Sequence, residues 1–566
     1  MRELTEEQLL PDQDPPVTFE EEVEIQLDIE IAGTTYSVVG QRVTALALAL
    51  SRYGLRGSLD VWLPAEEPGS APDPLRLALA KSDLATVTLQ LRPVWPKVKD
   101  GDTATRVQVQ GLVFAKRLSA HAYYSEQGMA QASRCYRLHF CDSARLLWGQ
   151  HHPCELYTQK SMQEVLEAHK GDRIQLAYQT QALSAKQEQI FVGLDATTRD
   201  AASFYDFLLW YVDRQQLQLF YDFAQSRYTI ADEPPSPPSP IPLSPKVVAS
   251  ANELAGAVPR FKTRVLNACT EDSRVLIAEQ EQATAPLCRD LLVCTSIAAQ
   301  ADDCLSRERK RQLLPEPRLR LEFQALPEQL FRPGETLDLR SEAWWQNAHL
   351  SIPRALPTEL HRVTAVELRL RSLQPAHTQS QRFGSYDRYT CTLTAEAEPV
   401  SQPRPPLPAY TAPVYPRYVE GRIVSEQGAD DEETYDFETD QQKALDRYKV
   451  KIPLWNNQQV RAPYLPGFLS GHFYVPAYKN QRVLVALDLD GARLAGFLDW
   501  RSEARLPKES QGEHLLLGKK PASSASLSLV YTDQQPVFTI KRTEQKDVQT
   551  LQIRQGHLML EVREEQ

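Results

Sequence analysis

Apolar and polar positions alternate along much of this chain. Val23, Ile25, Leu27, Ile29 and Ile31 are separated by acids and glutamine, the period-two pattern of a strand with one buried face. Val107 and Val109, Leu112 and Phe114, and Tyr136, Leu138 and Phe140 repeat the pattern. Residues 19–157 therefore predict a β-barrel or sandwich, with a loop of Pro and Lys over 93–102.

The period changes over 158–232. Ser161 and Glu164 have capping-box spacing, and Met162, Val165, Leu166 and His169 follow at helical intervals before Gly171. Phe204, Phe207, Leu208 and Tyr211 share one face of a second predicted helix, with Asp200 as its candidate cap. Leu217–Phe223 and Tyr228–Ala231 predict a hairpin. The result is a small α/β unit whose aromatic stripe reads as core.

Proline punctuates the rest of the chain. Residues 233–245 and 399–416 are proline-rich. Proline lacks an N–H and fixes φ, so both read as extended connectors or, alternatively, as ligands for a proline-binding domain. Between them, 246–398 predicts strands around one basic helix, Cys304–Leu314, with a turn at Phe331–Gly334 and a loop holding Trp344 and Trp345. Residues 417–502 predict five short strands around an acidic loop, Glu426–Asp440, in the manner of an OB barrel. Residues 503–566 alternate as short strands whose edges would be raw in an isolated chain. Residues 1–18 form an acidic leading segment.

Composition narrows the function. The chain has 566 residues, 42% hydrophobic and 24% charged, with a formal net charge of −11. The balance is that of a globular chain, and the negative charge disfavours nucleic acid or an anionic membrane as general partners. No apolar run approaches the ~20 residues of a membrane span. The start is acidic and shows no signal pattern, so we expect folding in the cytoplasm and export by another route. The eight cysteines include no CxxC, and they read as reduced, packed thiols. His151, His152, Cys154 and Glu155 are the densest set of potential ligands, but Pro153 and the tight spacing argue for a surface loop. The acidic loop lacks the D-x-D-x-D-G spacing of a calcium loop. No P-loop, GxSxG, HExxH or dinucleotide pattern is present, so we expect no catalytic residue, cofactor or metal.

Four stretches resemble the VgrG spikes of type VI secretion systems and the hub-and-spike proteins of phage tails and extracellular injection particles. They are Leu146–Trp148 with Gln159–Leu166, Asp200–Asp232, Cys304–Leu339 with the Arg362–Val366 strand, and Tyr418–Trp500. The match runs over about 110–500. It departs from the family pattern at Asn480 in place of glycine and at Pro453-Leu454-Trp455.

The resemblance implies a mainly β fold with a small α/β insert: two hub barrels, an OB-fold barrel and a short, intertwined C-terminal β-prism. It implies a non-catalytic homotrimer linking an inner tube to a puncturing tip. Its partners would be a tube or tube-initiator protein, a PAAR-like tip protein, baseplate wedge proteins and effector cargo, with the target membrane touched only in passing. It would sit within the injection particle and be ejected with it. Within 503–566 the candidate trimer or tip contacts are Val548, Leu551, Ile553, Leu558, Leu560 and Val562. Two other readings stand beside this one: an oligosaccharide- or nucleic-acid-binding OB protein, and a tail-associated peptidoglycan hydrolase. In the 66 residues after Trp500 we expect no further catalytic domain.

Overall fold

The computed structural model describes residues 16–564 apart from 65–73, 96–105, 125–129, 199, 236–238, 256–257, 259, 269–272, 279–281, 295–297, 312–316, 340–359, 375–385, 403–406, 431, 433, 441–444, 464–475, 499–511 and 521. Most of the 93–102 loop, the Trp344–Trp345 loop and 464–475 within the predicted OB barrel lie outside the described residues. The chain is mainly β, and its contacts divide it into two compact units.

The first unit is built on a closed antiparallel barrel. Phe19–Ile31 pairs with Ala85–Pro93, then Val107–Tyr124, Ala130–Cys141, Gly54–Pro64 and Val43–Ser51 continue around the ring. Leu360–Ser372 and Tyr386–Pro399 complete it, pairing with Val43–Ser51, with each other and with Phe19–Ile31. Two of the eight staves thus come from the segment expected to form a second barrel. Past the ring the same two strands carry Thr336–Asp338 on one side and Arg318–Phe323 with Val248–Leu254 on the other. A pair of long strands that serves both the ring and the strands beyond it is invisible to a linear division, because strand pairing is non-local.

The alternation read from sequence points inward as expected. Val23, Ile25, Leu27, Ile29 and Ile31 are all buried. Gly57 sits opposite Phe140, and a Cβ there would stand 2.4 Å from the Phe140 ring. The missing side chain makes room for the aromatic inside the ring.

Ser161 and Glu164 form the expected capping box: the Glu164 amide donates to Ser161 Oγ at 3.2 Å, and the Ser161 amide donates to Glu164 Oε2 at 2.8 Å. The helix they start, Met162–His169, buries Met162, Val165 and Leu166. The second helix, Phe204–Gln215, is capped by Ser203 with Asp206, not by Asp200. Ser203 stands immediately before the first helical residue, where its hydroxyl reaches the third amide. The basic helix runs from Ala298 to Arg311, starting six residues before Cys304. Its basic residues suggested its C-terminal half only; the apolar contact of Leu305 with Val265 and Ala278 holds it against the Lys262–Asn267 sheet.

The second connector is tied down within the first unit. Tyr410 donates its hydroxyl to Asp213 at 2.8 Å, and the Thr411 amide donates to Asp206 at 3.2 Å.

The second unit holds a small antiparallel barrel of Arg417–Val424, Leu445–Ile452, Gln458–Pro463, Arg482–Leu487 and Ala492–Phe497. Its core includes Ile423, Tyr448, Val450, Val483 and Val485, and also Leu156 and Phe191. Those last two arrive on the hairpin Cys154–Ser161/Lys186–Gly193. Gly421 lies under this core, where a Cβ would stand 2.5 Å from Val450 Cγ1. The same unit contains a five-stranded meander, Gly512–Lys520, Ser523–Thr532, Gln535–Glu544, Asp547–Arg554 and His557–Arg563.

Candidate functional site

The terminal meander is the candidate site, and its turns fix its register. Thr532 pairs with Gln535, leaving Asp533 and Gln534 as a two-residue loop, both at positive φ (52° and 64°). Two positive φ values define the turn whose twist matches paired strands. Gly556, at φ 72°, serves the last turn.

With that register, every cross-strand row lies on one face. One row reads Leu515, Leu527, Ile540, Leu551 and Leu560 across all five strands. A neighbouring row reads Glu513, Leu529, Phe538, Ile553 and Leu558, and on the other side stand Leu517, Ala525, Arg542, Gln549 and Val562. The opposite face carries Ser524, Ser526, Ser528, Thr539, Lys541, Thr550, Gln552 and Glu561 along the same strands, with Leu516, Val530, Val537, Val548 and Met559 among them. One face is therefore mostly aliphatic and the other mostly polar.

Nothing in the described chain covers the aliphatic face. Leu558 is 72% and Leu560 74% exposed, and Leu515, Leu517, Tyr531, Ile540, Ile553 and Val562 are exposed too. Val537 is the meander's only buried apolar residue among those described. Single exposed apolar residues are normal; a contiguous patch with a polar reverse is the signature of an interaction surface.

Of the residues picked from sequence, Leu551, Ile553, Leu558, Leu560 and Val562 share the aliphatic face, and Val548 stands on the polar one, opposite Arg563. Leu515, Leu517, Leu527, Leu529, Phe538 and Ile540 belong to the same face and were missed. Their alternation was visible strand by strand; the register that aligns them was not.

The other chemistry-bearing groups are built into cores. Asp142 accepts from the Leu55 amide at 3.2 Å, the Arg145 amide at 2.8 Å and the Tyr228 hydroxyl at 2.7 Å, and burial raises its carboxyl above the ordinary range. Burial likewise raises Glu398, which accepts from Arg52 Nη1 at 2.9 Å inside the first unit. His151 and His152 are half-buried rather than a surface loop: His151 Nε2 lies 3.0 Å from His169 Nδ1, and His152 Nδ1 lies 3.0 Å from the Ala202 carbonyl. Cys154 and Glu155 open the hairpin beyond them. Among the described residues no three His, Cys, Asp or Glu converge as a metal site. A small cavity in the barrel interior is lined by aliphatic residues and Phe331.

The acidic loop of the second unit is partly paired. Glu426 accepts from Lys449 at 2.7 Å, and Glu438 meets Lys449 at 3.5 Å and Arg461 at 2.7 Å. Its Glu438–Asp440 segment is a short strand on Leu445–Ile452. The acidic loop is thus anchored by the barrel's cations. Among the described residues no helix is long and apolar enough to cross a membrane.

No family model matches this chain and no curated protein does. Solved structures do. A chain of the half-lidded Francisella PdpA–VgrG complex aligns with a TM-score of 0.69 at 14% identity, over 96% of this chain and 88% of that one. A chain of the lidless PdpA–VgrG complex aligns with a TM-score of 0.70 at 13% identity, over 98% of this chain and all of that one. The fold is therefore that of a chain in the PdpA–VgrG assembly, a mainly β architecture shared over almost the full length.

Proposed function

We propose that this chain is a structural hub and spike of a contractile injection machine and that it works as a homotrimer closed by its terminal sheet. The observation that carries the proposal is the aliphatic face of that sheet, with its unbroken row Leu515, Leu527, Ile540, Leu551 and Leu560. Burying such side chains is favourable by roughly 1.5–3 kcal/mol each. A self-complementary patch on a single chain is met most economically by further copies of that chain in closed symmetry. Three sheets facing a common axis enclose their apolar faces and leave the polar ones to water. The fold shared with a chain of the PdpA–VgrG complexes supports a place within a larger assembly.

On this reading the first unit forms the hub that meets the inner tube and baseplate wedges. The small barrel forms a collar, and the far end of the prism receives a PAAR-like tip protein, with effector cargo carried alongside. The particle would deliver the chain outward on sheath contraction. The role is mechanical and needs no catalytic group. The nucleic-acid reading is disfavoured by the barrel's basic residues: Arg447 and Arg461 meet Glu188, Lys449 meets Glu426 and Arg482 meets Glu420, whereas a strand-binding groove keeps its cations available.

Electron microscopy of the purified full chain tests the proposal. Class averages should show threefold particles with one thin projection, and removal of 512–566 should abolish both the projection and the symmetry. Single-chain or twofold particles would overturn it.

A further inference from the structure

The hairpin Cys154–Ser161/Lys186–Gly193 interrupts the chain of the first unit, yet packs as part of the second. Phe191 and Leu156 sit in the small barrel's core. The Phe191 amide donates to the Leu489 carbonyl at 2.7 Å, and its own carbonyl accepts from the Tyr415 hydroxyl at 2.8 Å. Trp455 lays its ring 5.5 Å from that of Phe191 and donates its indole N–H to the Cys154 carbonyl at 3.1 Å. On the hairpin's polar side Glu188 accepts from Arg447 at 3.1 Å and from Arg461 at 2.6 Å.

The two flanks of the hairpin are fastened in the first unit. The Leu194 amide donates to the Pro153 carbonyl at 2.8 Å, and the Phe204 amide donates to the His151 carbonyl at 2.8 Å. The chain passes between the units at 153/154, 165/166, 184/185, 193/194 and 413/414. Four of these five passages belong to the hairpin and its return; the 399–416 connector supplies the fifth.

We propose that this hairpin is a non-covalent tie that holds the second unit to the rest of the chain independently of the connector. It buries two apolar side chains, makes backbone hydrogen bonds in a dry core and adds a carboxylate between two guanidinium groups. Such contacts, once formed, exchange slowly, because release exposes the apolar core and strands buried polar groups. Its mechanical meaning, that axial load on the spike is shared between connector and hairpin, rests on the spike reading above. The tie itself does not.

The test is a full-length chain with a site-specific protease sequence inserted after Pro413, so that the Tyr410 and Thr411 contacts stay with the N-terminal fragment. After cleavage under native conditions, the C-terminal fragment should co-elute with the N-terminal one for hours. Release of the fragment from the otherwise unaltered chain would overturn the proposal. Phe191→Ala with Trp455→Ala should release it at least about tenfold faster. Retention in that variant, with unchanged circular dichroism, would assign the attachment to other contacts and also overturn the proposal. Glu188→Arg, on the solvent side, leaves the core intact and should speed release a few-fold at low salt; an unchanged rate would count against the Glu188 contribution and hence against the tie as drawn. Light scattering of the uncleaved chain reads oligomeric state separately. A monomer that keeps its fragment would sink the spike and spare the tie.

Discussion

The closed barrel of the first unit and the terminal meander of the second use the same local code to different ends. In Phe19–Ile31 the apolar alternates are buried, with Ile29 0% exposed; in His557–Arg563 they are open, with Leu560 74% exposed. Both strands alternate at period two, and both lie in antiparallel sheets. The difference is closure. Eight staves close on themselves and supply their own inside, whereas five strands in a row leave an inside with nothing against it. Alternation therefore reports which face is apolar, while topology reports whether the chain can cover that face alone.

Substitutions on the open face should break this comparison most strongly. Leu551→Asp with Leu560→Asp places two carboxylates in the central row, and should weaken self-association by on the order of 10³-fold or more, read by sedimentation velocity. Unchanged association would show that the face is not the interface. In the closed barrel the effect should fall on stability instead. Phe140→Ala leaves a void beside Gly57 and should cost about 3–5 kcal/mol, read by chemical denaturation, with the assembled mass unchanged at low denaturant.

Two smaller effects sharpen the contrast. Val548→Asp, on the polar face of the same sheet, should alter association by less than about tenfold, the usual range for surface substitutions. Acid should erode the small barrel slightly through Glu420. Arg482 donates to this carboxylate and holds it below its ordinary value of 4.5. The folded state then binds its proton more weakly than the unfolded one. The contribution is present above pH 4.5 and fades as pH falls through the lowered value. Glu420→Gln should flatten that part of the pH–stability curve, by a small amount because the pair is exposed.

Much of the local architecture was legible in the chain. The Ser161–Glu164 capping box forms as spaced, the Gln218–Asp222/Arg227–Ala231 hairpin falls where the aromatic strands predict it, and the described strands of the small barrel lie within 417–502, Gln458–Pro463 among them unforeseen. The long-range pairings escaped. The 360–399 strands close a barrel begun more than 300 residues earlier, and Leu156 and Phe191 complete a core centred near Val450. Neither partner carries a mark in its own sequence, because an apolar strand is equally suited to several sheets. The terminal site was half legible for the same reason. Leu551, Ile553, Leu558, Leu560 and Val562 follow from alternation, but Val548 has the wrong parity. Val548 lies three residues from Leu551 on one strand and so faces the other side, as the Asp547–Glu544 and Arg554–His557 pairings bear out.

Two further copies of the same chain are proposed to cover the open face. Multi-angle light scattering of the purified full-length chain at micromolar concentration tests this most directly. The expected mass is three times the 64.1 kDa of one chain, independent of dilution until dissociation yields monomer without a stable dimer. A mass of one chain, or of two, at all concentrations would contradict it.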